Sequence, residues 1–223
     1  MKIKIMSKVI LDLCGGTGAW SKPYKEAGYI VHNITLPDFD ILSACPFSGL
    51  ATNSFEGHKC SGCSLPRMHF SGEYKTLNID TKDIYGILAA PPCTQFSLAR
   101  QTAKTPRDFL KGMQVVRKCM DIIWHCRAIG NLQFWALENP RGFLRQFLGK
   151  PAYHFQPWQF GDDSKKSTDI WGYFNHLKEC PIKKPGYLRK GKDSWAAQFP
   201  TPGQKERSIT PAGFARAFFE ANK

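Results

Sequence analysis

The sequence predicts an α/β protein with a mostly parallel sheet, helices on both faces and a small basic lobe beside one edge. Three observations carry that expectation. Short apolar runs recur at 9–13, 29–34, 84–90 and 134–137, with the length and continuous apolarity of strands buried on both faces. A long stretch of helical spacing separates the last two. Three of the runs end on chemistry, a glycine turn, a Pro-Pro-Cys and a Glu-Asn-Pro, which is where a parallel sheet places its ligands. With 223 residues the chain can fill one core and a small appendage.

Composition narrows the function classes. No apolar run is long enough to span a bilayer, and residues 1–8 lack the apolar core and cleavage site of a signal peptide. A soluble, intracellular, cytoplasmic protein with no membrane partner is expected. The 8 cysteines fall mostly inside apparent strands and helices rather than at the spacings of a small disulfide scaffold, so reduced thiols are expected rather than bridges. A net charge of +13 points to a polyanionic partner. It clusters at 178–207, where eight Lys and Arg oppose three acidic residues, and again at Arg100, Lys104, Arg107, Lys111, Arg117 and Lys118. Either group can also be a solvated face.

Taken in order, the strand Val9–Leu13 runs into Cys14-Gly15-Gly16-Thr17-Gly18-Ala19-Trp20, and a helix is expected to start near Ser21, Lys22 and Pro23. Strand, glycine loop and helix make a nucleotide-type site or a tight structural turn. After the strand 29–34, Asp38 or Asp40 could accept bonds from a ribose or an adenine amine, or be ordinary loop residues. The segment 43–75 interrupts the α/β rhythm. Its Cys60-x-x-Cys63 pair has half the spacing of a structural zinc site, with Cys45, His58 or His69 as further ligands, and an unliganded loop is the alternative.

The strand 84–90 delivers Cys93 behind Pro91 and Pro92, which fix φ and hold the thiol in one place. Cys93 is either a nucleophile or a small buried hydrophobe. A helix is expected from Thr105 as N-cap, with Phe109, Met113, Val116, Met120, Ile123 and Trp124 as its core stripe and Gly130-Asn131 as its end. The strand 134–137 stops at Glu138-Asn139-Pro140, with Glu138 satisfied locally or aimed into a site. Beyond Pro151, aromatic and basic residues interleave, which suits a nucleic-acid surface or an ordinary small β subdomain. Residues 210–219 read as a last helix with Phe214, Ala217 and Phe218 on one face.

In this order the motifs Asp12-x-Cys14-Gly15-Gly16-x-Gly18, Pro91-Pro92-Cys93-x-x-Phe96-Ser97 and Glu138-Asn139-Pro140 resemble those of the S-adenosylmethionine-dependent DNA (cytosine-5) methyltransferases, in the short form carried by phages and prophages. The resemblance implies a Rossmann-like methyltransferase fold. It divides the chain into a cofactor-binding and catalytic core at 1–150 with the insertion at 43–75, a basic target-recognition lobe at 151–206, and a returning helix at 207–223. It implies methyl transfer to carbon 5 of a flipped-out cytosine, the Cys93 thiolate adding to carbon 6 while Glu138 holds and protonates N3. S-adenosylmethionine would be held by Asp12, Cys14, Gly15, Gly16, Thr17, Gly18, Trp20, Asp40, Ile41 and Pro91. The implied setting is double-stranded DNA as partner, a monomer, and the cytoplasm of a bacterium or phage-infected host, in restriction-modification or phage DNA methylation.

The chain departs from the family pattern in four places. Thr94 stands between Cys93 and Gln95, no acidic residue ends the second strand, Gln-x-Arg-x-Arg is absent with Gln156-Pro157-Trp158-Gln159-Phe160 in its place, and Arg207 to Pro211 replaces Gly-Asn-Ser. The same chemistry on RNA or a free pyrimidine nucleotide, and a non-catalytic nucleic-acid-binding protein, are the alternatives.

Overall fold

The first strand, β1 (Val9–Leu13), is buried along its whole length, and its alternating side chains feed two separate cores. Val9, Leu11 and Leu13 join one apolar cluster, while Ile10 joins the other, as the twofold side-chain period of a strand requires. A computed structural model describes residues 8–45, 67–100, 103–162, 164–181 and 208–223.

From β1 the chain turns into helix α1 (Lys22–Glu26) and returns as β2 (Ile30–Ile34), parallel to β1. Next come β3 (Asp40–Cys45), β4 (Arg67–Ser71) and β5 (Thr76–Asp80), a small antiparallel sheet. β6 (Ile84–Ala89) pairs with the other side of β1, helix α2 (Phe109–Ile129) follows, and β7 (Phe134–Pro140) lies parallel to β6. A short helix α3 (Leu144–Leu148) leads to β8 (Tyr153–Phe155) and β9 (Thr168–Tyr173), and α4 (Ala212–Asn222) closes the chain. The main sheet has six strands in the order β2-β1-β6-β7-β9-β8, with β9 antiparallel to β7 and β8 antiparallel to β9. The protein is therefore α/β with a mostly parallel six-stranded sheet and a small antiparallel one.

Helices cover both faces of the large sheet. Val116, Cys119, Ile122, Ile123 and Cys126 of α2 pack on one face, together with Met68, Phe70 and Ile79 of the small sheet. Trp20, Tyr24 of α1, and Phe214 and Phe218 of α4 pack on the other. Phe214 stacks on Phe155 at 4.0 Å between ring centroids. Each such buried side chain contributes about 1.5–3 kcal/mol. After β1 the chain proceeds toward β2 and after β6 toward β7, so the strand order reverses between β1 and β6. Open α/β sheets present a crevice at that reversal.

Four expectations change. The N-cap of α2 is Asp108, whose carboxylate accepts from the Lys111 amide at 2.9 Å, rather than Thr105. Trp124 is 53% exposed, and Cys119, Ile122 and Cys126 fill the stripe in its place. β7 runs on through Glu138 to Pro140, because its antiparallel ladder to β9 continues there. Within the proposed 151–206 lobe, the part from Tyr153 to Tyr173 supplies two strands of the main sheet. Residues 182–207, with most of the first basic cluster, lie outside the described residues, as do Cys60, Cys63 and His58. His69 lies on β4 with Nδ1 2.9 Å from Asn78 Oδ1, and among the described residues no three His, Cys, Asp or Glu side chains group to hold a metal. Among those residues no helix is long and apolar enough to cross a membrane.

Candidate active site

The turn after β1 carries the first part of the site. Cys14, Gly16 and Gly18 all have positive φ (58°, 54° and 72°), which reverses the chain within five residues. The Cys14 amide donates to Ile34 O at 2.8 Å, the Gly18 amide to Gly15 O at 2.9 Å, and Asn33 Nδ2 to Gly16 O at 3.0 Å, so the turn is fastened to β2. Gly15 lies directly over the Asp12 carboxylate, where a Cβ would come within 2.3 Å of Oδ1. Only glycine permits that approach.

Asp12 itself is fully buried. Its Oδ2 accepts from the Ser21 hydroxyl, while Oδ1 has no hydrogen-bond partner among the described residues. Burial pushes the carboxyl up to about 6, against the opposing effect of the Ser21 bonds. A buried acceptor left open beside a pocket is an invitation to a donor from a ligand.

The second part comes from β6. The Ala90 amide donates to Leu13 O at 2.9 Å, which binds the exit of β6 to the exit of β1. Pro91 and Pro92 follow, and the Cys93 carbonyl accepts from the amides of Phe96 (2.9 Å) and Ser97 (2.8 Å) to close a tight turn. Arg107 clamps that turn by donating to Gln95 O and Ser97 O, each at 2.9 Å, and lies over the Phe143 ring at 4.8 Å. Arg100 donates to Gln95 Oε1 at 2.9 Å. In the second basic cluster these two cations are therefore engaged in holding the cysteine loop, whereas Lys104 and Lys111 are exposed.

The third part comes from β7. Asn139, fully buried, donates from Nδ2 to Pro91 O at 2.9 Å. The Phe143 amide donates to Phe96 O at 2.9 Å, and Ser97 forms a bridge with Gly142, where a Cβ would lie 2.2 Å from Phe96 O. The Cys93 loop and the Glu138 strand are thus held together at several points, which sets one side chain relative to the other.

These elements enclose one pocket. Its wall includes Asp12, Cys14, Gly15, Gly16, Thr17 and Trp20 from the first turn, Pro91, Pro92 and Cys93 from β6, Glu138 and Pro140 from β7, Lys166 from the approach to β9, and Ser208 to Thr210 before α4. Glu138 is 14% exposed, and its carboxyl is raised above the ordinary value chiefly by burial, with Lys166 acting in the opposite sense and Asp169 adding to the rise. Lys166 Nζ lies 3.7 Å from Glu138 Oε1. Cys93 is half-buried and is not in a disulfide.

Nine of the twelve expected catalytic and cofactor residues meet here. Gly18 shapes the turn without lining the pocket. Asp40 and Ile41 stand apart: Ile41 is buried in the α2-side core, and Asp40 Oδ1 caps its own turn by accepting from the Leu42 amide at 2.9 Å. Asp40 instead lines a second, more open depression with Leu36, Ser43, Ser71 and Glu73.

The sequence gives no site role to Lys166, Asn139 or Ser21. Asn139 lies inside the Glu138-Asn139-Pro140 motif and Ser21 at the expected start of α1, so neighbourhood was an available signal; Lys166 reaches Glu138 only through the β7–β9 ladder. No protein-family model matches the chain, and no curated protein matches it.

Proposed function

We propose that this protein is an S-adenosylmethionine-dependent methyltransferase acting on carbon 5 of cytosine in DNA, with Cys93 as nucleophile and Glu138 as its acidic partner. The observation that carries the proposal is the meeting of Cys93, Glu138 and the Asp12–Gly16 turn in one pocket at the sheet reversal. A Rossmann-like methyltransferase fold and a DNA partner in a bacterial or phage-infected cytoplasm go with it.

The pocket fits the cofactor on two counts. Asp12 Oδ1 is a buried acceptor with no partner among the described residues, suited to the ammonium of the methionine end. The space over its carboxylate is kept clear by the missing side chain at Gly15. Asp12, Gly15, Gly16, Thr17, Trp20 and Pro91 would hold S-adenosylmethionine, which when bound supplies an electrophilic methyl group.

The chain's own residues then account for activating the base. Cytosine is a poor nucleophile at carbon 5 until a thiolate adds at carbon 6. Cys93 provides the thiolate on a turn held by Arg107. As the sulfur–carbon bond forms, the carbon 5–carbon 6 pair moves to join carbons 4 and 5, and the carbon 4–N3 pair settles on N3. Glu138 delivers its proton there. Burial keeps that carboxyl protonated to higher pH than usual, and a group that pairs with charge formed only in the adduct accelerates the step. Once carbon 5 carries the methyl group, N3 returns its proton to Glu138 as the carbon 4–N3 double bond re-forms, and loss of the carbon-5 proton with departure of the Cys93 thiolate restores the ring.

The test is trapping. Protein, S-adenosylmethionine and duplex oligonucleotides containing 5-fluorocytosine should give a covalent complex that survives denaturing electrophoresis, absent in Cys93→Ala and absent without the cofactor. No adduct from folded, cofactor-binding protein with any DNA would overturn the proposal, and an adduct on RNA alone would reassign the substrate.

A further inference from the structure

Lys166 lies at a place that the cysteine–glutamate chemistry needs and does not itself supply. It comes from the loop before β9, held there by the Arg141 amide donating to Ser167 O at 2.9 Å and by the Thr168 hydroxyl donating to Lys166 O at 3.1 Å. Its ammonium is 3.7 Å from Glu138 Oε1, with the side chain 28% exposed, and it is the only cation on the pocket wall among the described residues. The neighbouring carboxylate that could compete for it, Asp169, is fully buried and already engaged: Arg145 donates to both of its oxygens and His154 Nδ1 lies 2.7 Å away. Lys166 is therefore left to Glu138.

We infer that Lys166 is a positioning residue for the acid step: it stabilises the carboxylate that remains on Glu138 once its proton has passed to the substrate ring, and so promotes Cys93 addition. The inference rests on the function proposed above and adds a residue to that site. Its logic is a charge balance. In the acid step Glu138 gives up a proton and is left negative in a buried position where burial, and Asp169 nearby, disfavour the charge. The remaining titratable groups on the pocket wall, Asp12, Cys14 and Cys93, are an acid and two thiols, and none of them offsets a new negative charge. An adjacent cation makes that proton transfer more favourable, since a buried anion left unpaired is among the costliest arrangements in a protein.

The test compares Lys166→Met and Lys166→Arg with the unaltered chain. Adduct formation with 5-fluorocytosine duplex at saturating DNA should be about 100-fold slower in Lys166→Met and recover at least about tenfold in Lys166→Arg, with S-adenosylmethionine affinity and melting temperature unchanged in both. Carbon-13 titration of the Glu138 carboxyl, assigned with Glu138→Gln, should move to higher pH in Lys166→Met and not in Lys166→Arg. In a Glu138→Gln background, Lys166→Met should add almost nothing, because the two act as one unit. An unchanged adduct rate in Lys166→Met, or an equal loss with and without Glu138, overturns the inference while leaving the proposed function standing. Absence of any adduct from the unaltered protein overturns the proposed function and this role with it, an outcome distinct from an unchanged rate in Lys166→Met, which overturns the role alone.

Discussion

Replacing Asp12 by Asn should reverse part of the pH dependence of stability, and the size follows from where the carboxylate sits. Asp12 is completely buried, with one oxygen held by Ser21 and the other without a partner among the described residues, and its carboxyl is raised from 3.8 to about 6. A difference of that size corresponds to ~3 kcal/mol by which the folded state disfavours the charged form. Because the folded value lies above the unfolded one, stability is full below about pH 4 and is lost as pH rises to about 6 and beyond. Asn cannot ionise. The unfolding free energy of Asp12→Asn relative to the unaltered protein should therefore rise by about 2 kcal/mol between pH 4 and pH 7, whatever constant offset the amide introduces. Urea unfolding of both proteins at both pH values measures this, since every other titrating group is common to the pair and cancels. The variant should also lose S-adenosylmethionine binding. A stability difference that does not change with pH would refute the reasoning, and one that changes in the opposite direction would mean that Oδ1 has a strong donor in the free protein.

The same carboxyl should make cofactor affinity pH-dependent: protonating Asp12 removes the acceptor for a cationic ligand, so calorimetry should show about tenfold weaker binding at pH 5 than at pH 7. Arg145→Met should destabilise the fold by ~2–3 kcal/mol in urea, since it leaves the buried Asp169 with His154 alone; the value is set below that of a fully buried pair because Arg145 is 34% exposed. Phe214→Ala should cost ~3–5 kcal/mol by opening a cavity against Phe155 and Trp20. It should weaken cofactor binding as well, because Ser208 to Thr210 lead into α4 and form part of the pocket wall.

What proved legible in the sequence was local. β1 occupies the expected span, β2 and β6 fall within one residue of theirs, and Gly130 caps α2, because continuous apolar runs and glycine or proline punctuation act over a few residues. The start of α2 moved because two caps competed, and Asp108 has the side chain that reaches the Lys111 amide. The small antiparallel sheet was read only as an interruption. Its buried Met68, Phe70 and Ile79 are too few and too spread along the chain to signal strands until they meet α2.

The sequence by itself determined the candidate groups: a glycine turn after an apolar strand, a cysteine stiffened by two prolines, and a glutamate at the end of another strand. Residue type and immediate neighbours were enough for that. Which of these groups share a pocket was decided by the tertiary structure, since strand order and register are long-range. The β1–β6 pairing sets the glycine turn beside Cys93, Asn139 and Gly142 lock the cysteine loop to β7, and the reversed strand β9 brings Lys166 to Glu138 across 28 residues of chain. The same pairing rules drew β8 and β9 into the main sheet and left Asp40 beside a different depression. No local pattern encodes such pairings, because each joins segments far apart in the chain.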